Sequence, residues 1–121
     1  MLFDTTILID YLRGRREAID LFEVRSEKPN ISVVSALELY AGVRSRREEL
    51  RTEQLLSQAI LLMVTQDIAK RAGIFVRLYE ASHGIDIPDA IIAATVEHHG
   101  LRLATLNVKH FPMFPKLKRA Y

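Results

Sequence analysis

The chain alternates short apolar runs with longer segments in which apolar residues recur every three or four positions. Short runs without strict apolar–polar alternation are typical of strands buried in a parallel sheet, and the longer pattern predicts amphipathic helices. The predicted strands are residues 1–3, 31–34, 60–64 (as a buried strand) and 101–105, with 117–121 as a possible edge strand. The predicted helices are residues 6–13, 15–25, 35–43, 46–58, 66–82 and 88–99. This order predicts one domain over residues 1–121, an α/β/α sandwich with a four- or five-stranded, mainly parallel sheet.

Polar residues mark several of the predicted helix starts. Ser35 and Glu38 have the spacing of a capping box, which predicts a helix opened by Ser35 with Glu38 in its first turn. Asp4 and Asp86 also precede predicted helices and suit the N-cap position. Each acid taken alone is therefore more often a cap than a metal ligand.

Composition narrows the possible chemistry. The 121 residues include no cysteine and four histidines, which excludes a disulfide scaffold, a thiol nucleophile, an iron–sulfur cluster and a Cys-ligated zinc site. At 49% hydrophobic residues, the chain has enough apolar material for one core. The lack of cysteine is compatible with a reducing cytosol, and the early acids Asp4 and Asp10 interrupt any signal-peptide apolar core. We therefore expect a cytoplasmic location and no membrane span.

Acidic and amide side chains stand at the ends of the predicted strands. Asp4 follows the first strand and Glu38 follows the second, whereas Asp89 opens the helix that leads into the fourth strand and Asn107 follows that strand. In parallel α/β sheets, ligands bind outside the carboxyl ends of the strands, so these side chains are expected to converge. A hard divalent cation such as Mg²⁺ or Mn²⁺ would offset the repulsion between clustered carboxylates.

Four segments resemble, in the right order, the motifs of PIN-domain nucleases: residues 4–10 (DTTILID), 35–43 (SALELYAGV), 88–95 (PDAIIAAT) and 103–111 (LATLNVKHF). The small size also resembles that of the VapC toxins of type II toxin–antitoxin modules. The resemblance implies a Mg²⁺-dependent endoribonuclease, with Mn²⁺ as a possible substitute, that hydrolyses RNA phosphodiester bonds and leaves a 5′-phosphate. It implies that Asp4, Glu38 and Asp89 hold the metal and that Asn107 takes part in catalysis.

The chain departs from the family pattern at two positions. Asn107 and His110 stand where many relatives have acids, which puts a second metal site in doubt. The resemblance makes Thr5, Thr6 and Thr105 auxiliary polar groups near the metal, although purely structural hydrogen bonds explain threonines at these positions equally well. We assign Asp86 to an N-cap outside the site, and we expect a solvated or salt-bridged structural role for Asp10.

The same resemblance implies an RNA substrate, a VapB-like antitoxin and a homodimer. The mixed apolar and charged segment 43–62 suits dimer or antitoxin packing, or simply a helix with one buried face. Basic residues follow the helices near Asp4 and Glu38, where they would flank a groove, although basic helix ends are ordinarily solvated. The 17 Lys and Arg and 15 Asp and Glu give a net charge of +2. If three of the acids bind a metal, 12 acidic residues remain against 17 basic residues. The rest of the chain is then basic, which suits an RNA substrate.

Two rival hypotheses come from other functional classes. A receiver-like signalling domain has a phospho-acceptor aspartate after its third strand, but Thr65 and Gln66 follow the third predicted strand here. A catalytically inactive PIN-like scaffold that only binds RNA or protein is compatible with the missing acids at positions 107 and 110. Cleavage of RNA in the presence of a divalent metal separates this scaffold from an enzyme.

Overall fold

A computed structural model describes all residues from 1 to 121. Its centre is a four-stranded sheet in the order β3-β2-β1-β4, in which every neighbouring pair is parallel. The strands are β1 (Leu2–Phe3), β2 (Asn30–Ser32), β3 (Ile60–Leu62) and β4 (Leu103–Ala104). Leu2 pairs with Asn30 on one side and with Leu103 on the other, so β1 is a central strand. The predicted parallel α/β/α architecture is confirmed.

Six α-helices cover the two faces of this sheet. They are α1 (Thr5–Leu12), α2 (Arg16–Glu23), α3 (Val33–Ala41), α4 (Arg46–Ser57), α5 (Gln66–His83) and α6 (Ile87–His99), and a 3-10 turn spans Val108–His110. Both α5 and α6 end at a glycine in the left-handed region, with φ of 62° at Gly84 and 63° at Gly100, which favours glycine there. None of the helices combines the length and apolar character needed to cross a bilayer.

Two apolar clusters lie on opposite faces of the sheet. On one face, α5 and α6 pack Phe75 and Ile92 with Leu2 and Phe111. On the other face, residues of α1 to α4 surround Phe3 of the same central strand. Because neighbouring side chains of a strand point to opposite faces, β1 contributes one residue to each cluster. This burial on both sides fixes the position of Asp4, the residue directly after β1.

Three local expectations are wrong. The helix α3 begins at Val33 rather than at Ser35, because Ser32 is its N-cap and its hydroxyl accepts a hydrogen bond from Val34 N at 3.2 Å. The strand β2 therefore passes directly into α3, and the β-branched residues of the first helical turn resemble a continuing strand. Ser35 is fully buried and does not cap the helix, and Glu38 lies in the second turn.

The two sheet edges also differ from expectation. The third strand is not buried: Ile60 is 47% exposed and Leu61 is 36% exposed, because β3 is an edge strand. Residues 117–121 form no strand. One backbone hydrogen bond of 2.9 Å, from Ala120 N to Thr105 O, joins this segment to the end of β4, and a single bond does not make a ladder.

Candidate active site

Asp4 is the most firmly held acid at the carboxyl edge of the sheet. Its side chain is the N-cap of α1 and is 3% exposed. Its Oδ1 accepts a hydrogen bond of 2.8 Å from Thr5 N, and its Oδ2 accepts bonds of 3.0 Å from the Thr6 hydroxyl and 2.7 Å from the Thr105 hydroxyl. Three donors from two separate parts of the chain thus fix the orientation of this carboxylate.

The loop after β4 is tied to the same group. The Thr105 hydroxyl accepts a 3.0 Å hydrogen bond from Asn107 N while it donates to Asp4. This hydroxyl therefore couples the position of the loop to the orientation of the acid. The structure brings Asn107 to the site through its backbone, and its side chain is partly buried and makes no hydrogen bond within the protein.

Glu38 joins the site through Thr5. The Thr5 hydroxyl lies 2.8 Å from Glu38 Oε1 and 2.8 Å from the Ser35 hydroxyl. Because this hydroxyl has a single proton, we assign the donated bond to the charged carboxylate and the accepted bond to Ser35. Thr5 thus bonds Asp4 with its backbone and Glu38 with its side chain.

Asp89 belongs to the first turn of α6. The helix places it there because Asp86 is the N-cap, accepting a 2.9 Å hydrogen bond from Asp89 N, which confirms the capping role expected for Asp86. His110 Nδ1 lies 3.1 Å from Asp89 Oδ2, although the contact lacks the geometry of a directed hydrogen bond. The buried Oδ2 oxygen consequently has no hydrogen-bond donor.

The electrostatics show that these acids disfavour one another's ionised form. Burial, followed by repulsion from Asp86 and Asp4, raises the pKa of Asp89 to about 7. Burial also raises the pKa of Asp4, against the lowering effect of its hydrogen-bond donors. Raised carboxylate pKa values that come from burial together with neighbouring acids are common at functional sites.

A divalent cation fits this donor set. All the side-chain donors are hard oxygens, and the buried Asp89 Oδ2 accepts no hydrogen bond and has only the His110 imidazole beside it, 3.1 Å away. No three Asp, Glu or His side chains stand close enough to form a ready-made ligand group. An ion held here would therefore have to keep several of its own waters and use few direct protein ligands.

The other singled-out residues occupy different places. Asp10 has the expected structural role: its Oδ2 accepts a 2.8 Å hydrogen bond from the Tyr121 hydroxyl and lies 3.6 Å from an Arg15 nitrogen. Burial and the bond to Asp10 raise the pKa of Tyr121. The sequence predicts neither the contact between Tyr121 and Asp10 nor the position of His110 against Asp89. The only sequence signal that His110 lies near the site is that it stands where many relatives have an acid.

Comparison with known proteins shows the family of the chain. The family model described as "PIN domain" matches residues 1–116, and the chain therefore belongs to the PIN-domain family. Its curated relatives include ribonuclease VapC10 of Mycobacterium tuberculosis, 46% identical over 98% of this chain and 90% of the relative. Ribonuclease VapC19 of the same organism is 43% identical over 99% of this chain and 98% of the relative.

Solved structures give the same result. A toxin–antitoxin complex from Klebsiella pneumoniae matches with a TM-score of 0.84 and 37% identity, covering 99% of this chain and 97% of the other. The DNA-bound VapBC of Salmonella typhimurium matches with a TM-score of 0.79 over 98% of this chain and 94% of the other. At 22% identity, the second match concerns the fold alone.

Proposed function

We propose that the chain is a metal-dependent endoribonuclease and the toxin of a VapBC-type toxin–antitoxin pair, with residues 1–121 acting as one nuclease domain. The observation that supports it best is the group of carboxylates at the carboxyl end of the parallel sheet, where the buried Asp4 receives three hydrogen bonds and the partly buried Asp89 keeps an unbonded oxygen. The names of the VapC ribonuclease relatives agree with this chemistry.

Each acid has its own part in the proposed mechanism. Asp4, Glu38 and Asp89 would hold Mg²⁺, directly or through its waters, and the bound ion would activate a water and offset charge on the scissile phosphate. Thr6 and Thr105 hold the Asp4 carboxylate in one orientation, so little reorganisation is needed when the ion binds. Thr5 does the same for Glu38, so these threonines act as positioning residues. The Asn107 side chain, free of protein partners, is available to a metal-bound water or to substrate.

Cleavage of RNA in defined metals tests the proposal. We expect cleavage with Mg²⁺ or Mn²⁺, none with excess chelator, and a loss of at least about a hundredfold in Asp4→Asn and Asp89→Asn, since each carboxylate supports charge stabilisation at the phosphate. Asp67→Asn is a matched control, because Asp67 is an exposed acid in the first turn of α5. Undiminished activity in chelator contradicts the metal mechanism. Products ending in a 2′,3′-cyclic phosphate contradict hydrolysis by water.

The partner part of the proposal rests on an apolar groove between α3, α4 and β3. This groove has a volume of about 620 Å³, and most of its lining is apolar, including the exposed side chains of Leu37, Tyr40 and Leu61. The buried residues of α4 are Thr52, Leu55 and Leu56, as expected for a helix with one buried face, and Leu56 also lines the groove. We propose that a second copy or the antitoxin covers the groove. Light scattering of the chain alone measures whether it forms a dimer. Light scattering of the chain with a co-expressed VapB-like protein measures whether a toxin–antitoxin complex forms.

An inactive scaffold is the second candidate, favoured by the absence of an acid at Asn107 and His110. It predicts RNA or antitoxin binding without cleavage in any metal.

The cytoplasm is the compartment that suits an RNA-cleaving toxin, and fractionation of cells that express the chain tests that location.

A further inference from the structure

A second pocket adjoins the acidic cluster. It has a volume of about 340 Å³ and lies between α1, α3 and the first half of α4. Glu38 forms part of its wall, together with the three arginines Arg13, Arg44 and Arg51. The pocket and the candidate metal site therefore share one side chain, so a ligand that spans both would pass from the carboxylates directly to the guanidinium groups.

Two of these arginines are unpaired. The side chains of Arg13 and Arg44 are exposed and take part in no ion pair or hydrogen bond within the protein. By contrast, other arginines neutralise nearby acids: Arg15 lies near Asp10 and Glu17, Arg16 near Asp20, Arg46 near Glu49 and Arg71 near Glu97. Arg13 and Arg44 thus keep their full set of hydrogen-bond donors for a ligand.

The remaining polar groups of the pocket are already committed. Arg51 donates a 2.6 Å hydrogen bond to the Leu12 carbonyl at the end of α1, which holds α4 against α1. The Glu48 side chain accepts a 2.8 Å hydrogen bond from Arg44 N. The backbone N–H of Glu48 donates to the side chain of Ser45, the N-cap of α4. With Glu38 assigned to the metal site, the other charged side chains of the pocket are three arginines and Glu48, so its net charge is positive, and only Arg13 and Arg44 have all their side-chain donors free.

We propose that this pocket is a subsite for the phosphates of the RNA strand next to the scissile bond, bound by Arg13 and Arg44. The proposal rests on the proposed nuclease function. Guanidinium groups bind phosphate through two parallel hydrogen bonds, and a strand whose scissile phosphate lies at Asp4 and Glu38 must continue past the wall that Glu38 shares. An acidic protein segment has no reason to extend to the carboxylates of the metal site, so a nucleic acid is the better occupant.

The test compares Arg13→Ala/Arg44→Ala with Arg25→Ala/Arg77→Ala. The control pair removes the same charge at exposed arginines that also lack ion-pair partners and lie outside the pocket. Binding of a short fluorescein-labelled single-stranded RNA is measured by anisotropy in chelator, where no cleavage occurs. We expect the pocket variant to lose on the order of tenfold in affinity and its salt slope to fall by about 1.4, or 0.7 per lost phosphate contact. The control variant should change less than about twofold.

Cleavage kinetics in Mg²⁺ give an independent readout. The pocket variant should show a raised KM with nearly unchanged kcat, because a phosphate contact remote from the reacting atoms stabilises ground state and transition state alike. Arg13→Lys/Arg44→Lys should regain part of the affinity by keeping the charge, which also covers the case of a poorly folded alanine variant.

The outcomes separate this proposal from the nuclease proposal. An unchanged RNA affinity and salt slope in the pocket variant overturns the subsite, even if the wild-type chain cleaves RNA. Loss of affinity for a VapB-like antitoxin with full RNA binding also overturns it and assigns the pocket to the protein partner. Arginine-dependent RNA binding without cleavage in any metal supports the subsite and contradicts the nuclease.

Discussion

Replacing Asp89 by asparagine should stabilise the metal-free chain at neutral pH. In the folded chain this carboxylate is 13% exposed, has one oxygen without a donor and is repelled by Asp86 and Asp4. Asparagine keeps the size of the side chain and removes the charge. A charged side chain that lowers the stability of the folded chain is expected where function requires the charge. The substitution therefore tests the assignment of Asp89 to a cation site.

The structure sets the size of the effect. Burial and neighbouring acids raise the pKa of Asp89 from 3.8 to about 7, and each unit corresponds to about 1.4 kcal/mol, which gives an upper bound of about 4 kcal/mol. Screening by water at a partly exposed pair reduces that bound. The lost attraction between the carboxylate and the start of α6 subtracts a further 0.3–1 kcal/mol, roughly. We expect a net gain of about 1–2 kcal/mol and a melting temperature raised by roughly 5 °C.

The pH dependence follows from the direction of the pKa shift. Because burial raises the pKa of Asp89 on folding, the folded chain binds this proton more tightly than the unfolded chain. The free energy of unfolding therefore falls as the pH rises from about 4 to about 7 and levels off above that range. The Asp89→Asn variant lacks this loss, so its advantage over wild type should be small at pH 4 and largest at pH 8.

Urea denaturation in chelator at both pH values measures the effect. Asp67→Asn is the control, because Asp67 is also an acid in the first turn of a long helix but is exposed. His110→Asn separates any effect of the imidazole next to Asp89. A destabilised Asp89→Asn variant at pH 8, or an equal gain at both pH values, would refute the reasoning.

Three further substitutions test the supporting contacts. Thr105→Val removes a buried 2.7 Å hydrogen bond to Asp4 and should lower kcat on the order of tenfold with a small change in melting temperature, as steady-state kinetics would show. Ser32→Ala removes the N-cap of α3 and should cost about 1 kcal/mol in urea denaturation, and a negligible change would contradict the stabilising role of this cap. Tyr121→Phe removes the donor to Asp10 and should cost about 1 kcal/mol by the same assay, whereas an unaltered midpoint would show that this contact does not hold residues 117–121.

The sheet could be predicted from the sequence because its strands are short apolar runs between amphipathic helices. The edge position of β3 could not be predicted from the sequence. An apolar run such as residues 60–64 is typical both of a central strand and of an edge strand. The N-cap at Asp86 could be predicted from local capping chemistry. At Ser32 and Ser35 the same chemistry was ambiguous, because two serines preceded the apolar run and only the backbone shows which one caps.

The acids of the candidate site were suggested by their positions after strands and by the family resemblance. The hydrogen bonds of these acids could not be predicted from the sequence. Thr105 and Asp4, for example, are 101 positions apart and meet only because β4 pairs with β1. The contact between His110 and Asp89 has the same origin: the 3-10 turn after β4 brings the imidazole beside α6. Contacts of this kind depend on tertiary structure and leave no local periodic pattern.

Manganese binding, followed by electron paramagnetic resonance, tests the central claim most directly, because it reports the ion without requiring a substrate. The account predicts that the wild-type chain binds Mn²⁺, that Mg²⁺ displaces it, and that Asp4→Asn and Asp89→Asn each weaken binding by tenfold or more, on the order expected for loss of a charged ligand. Asp67→Asn should bind Mn²⁺ as the wild type does. Equal Mn²⁺ affinity in wild type and both site variants would contradict the account.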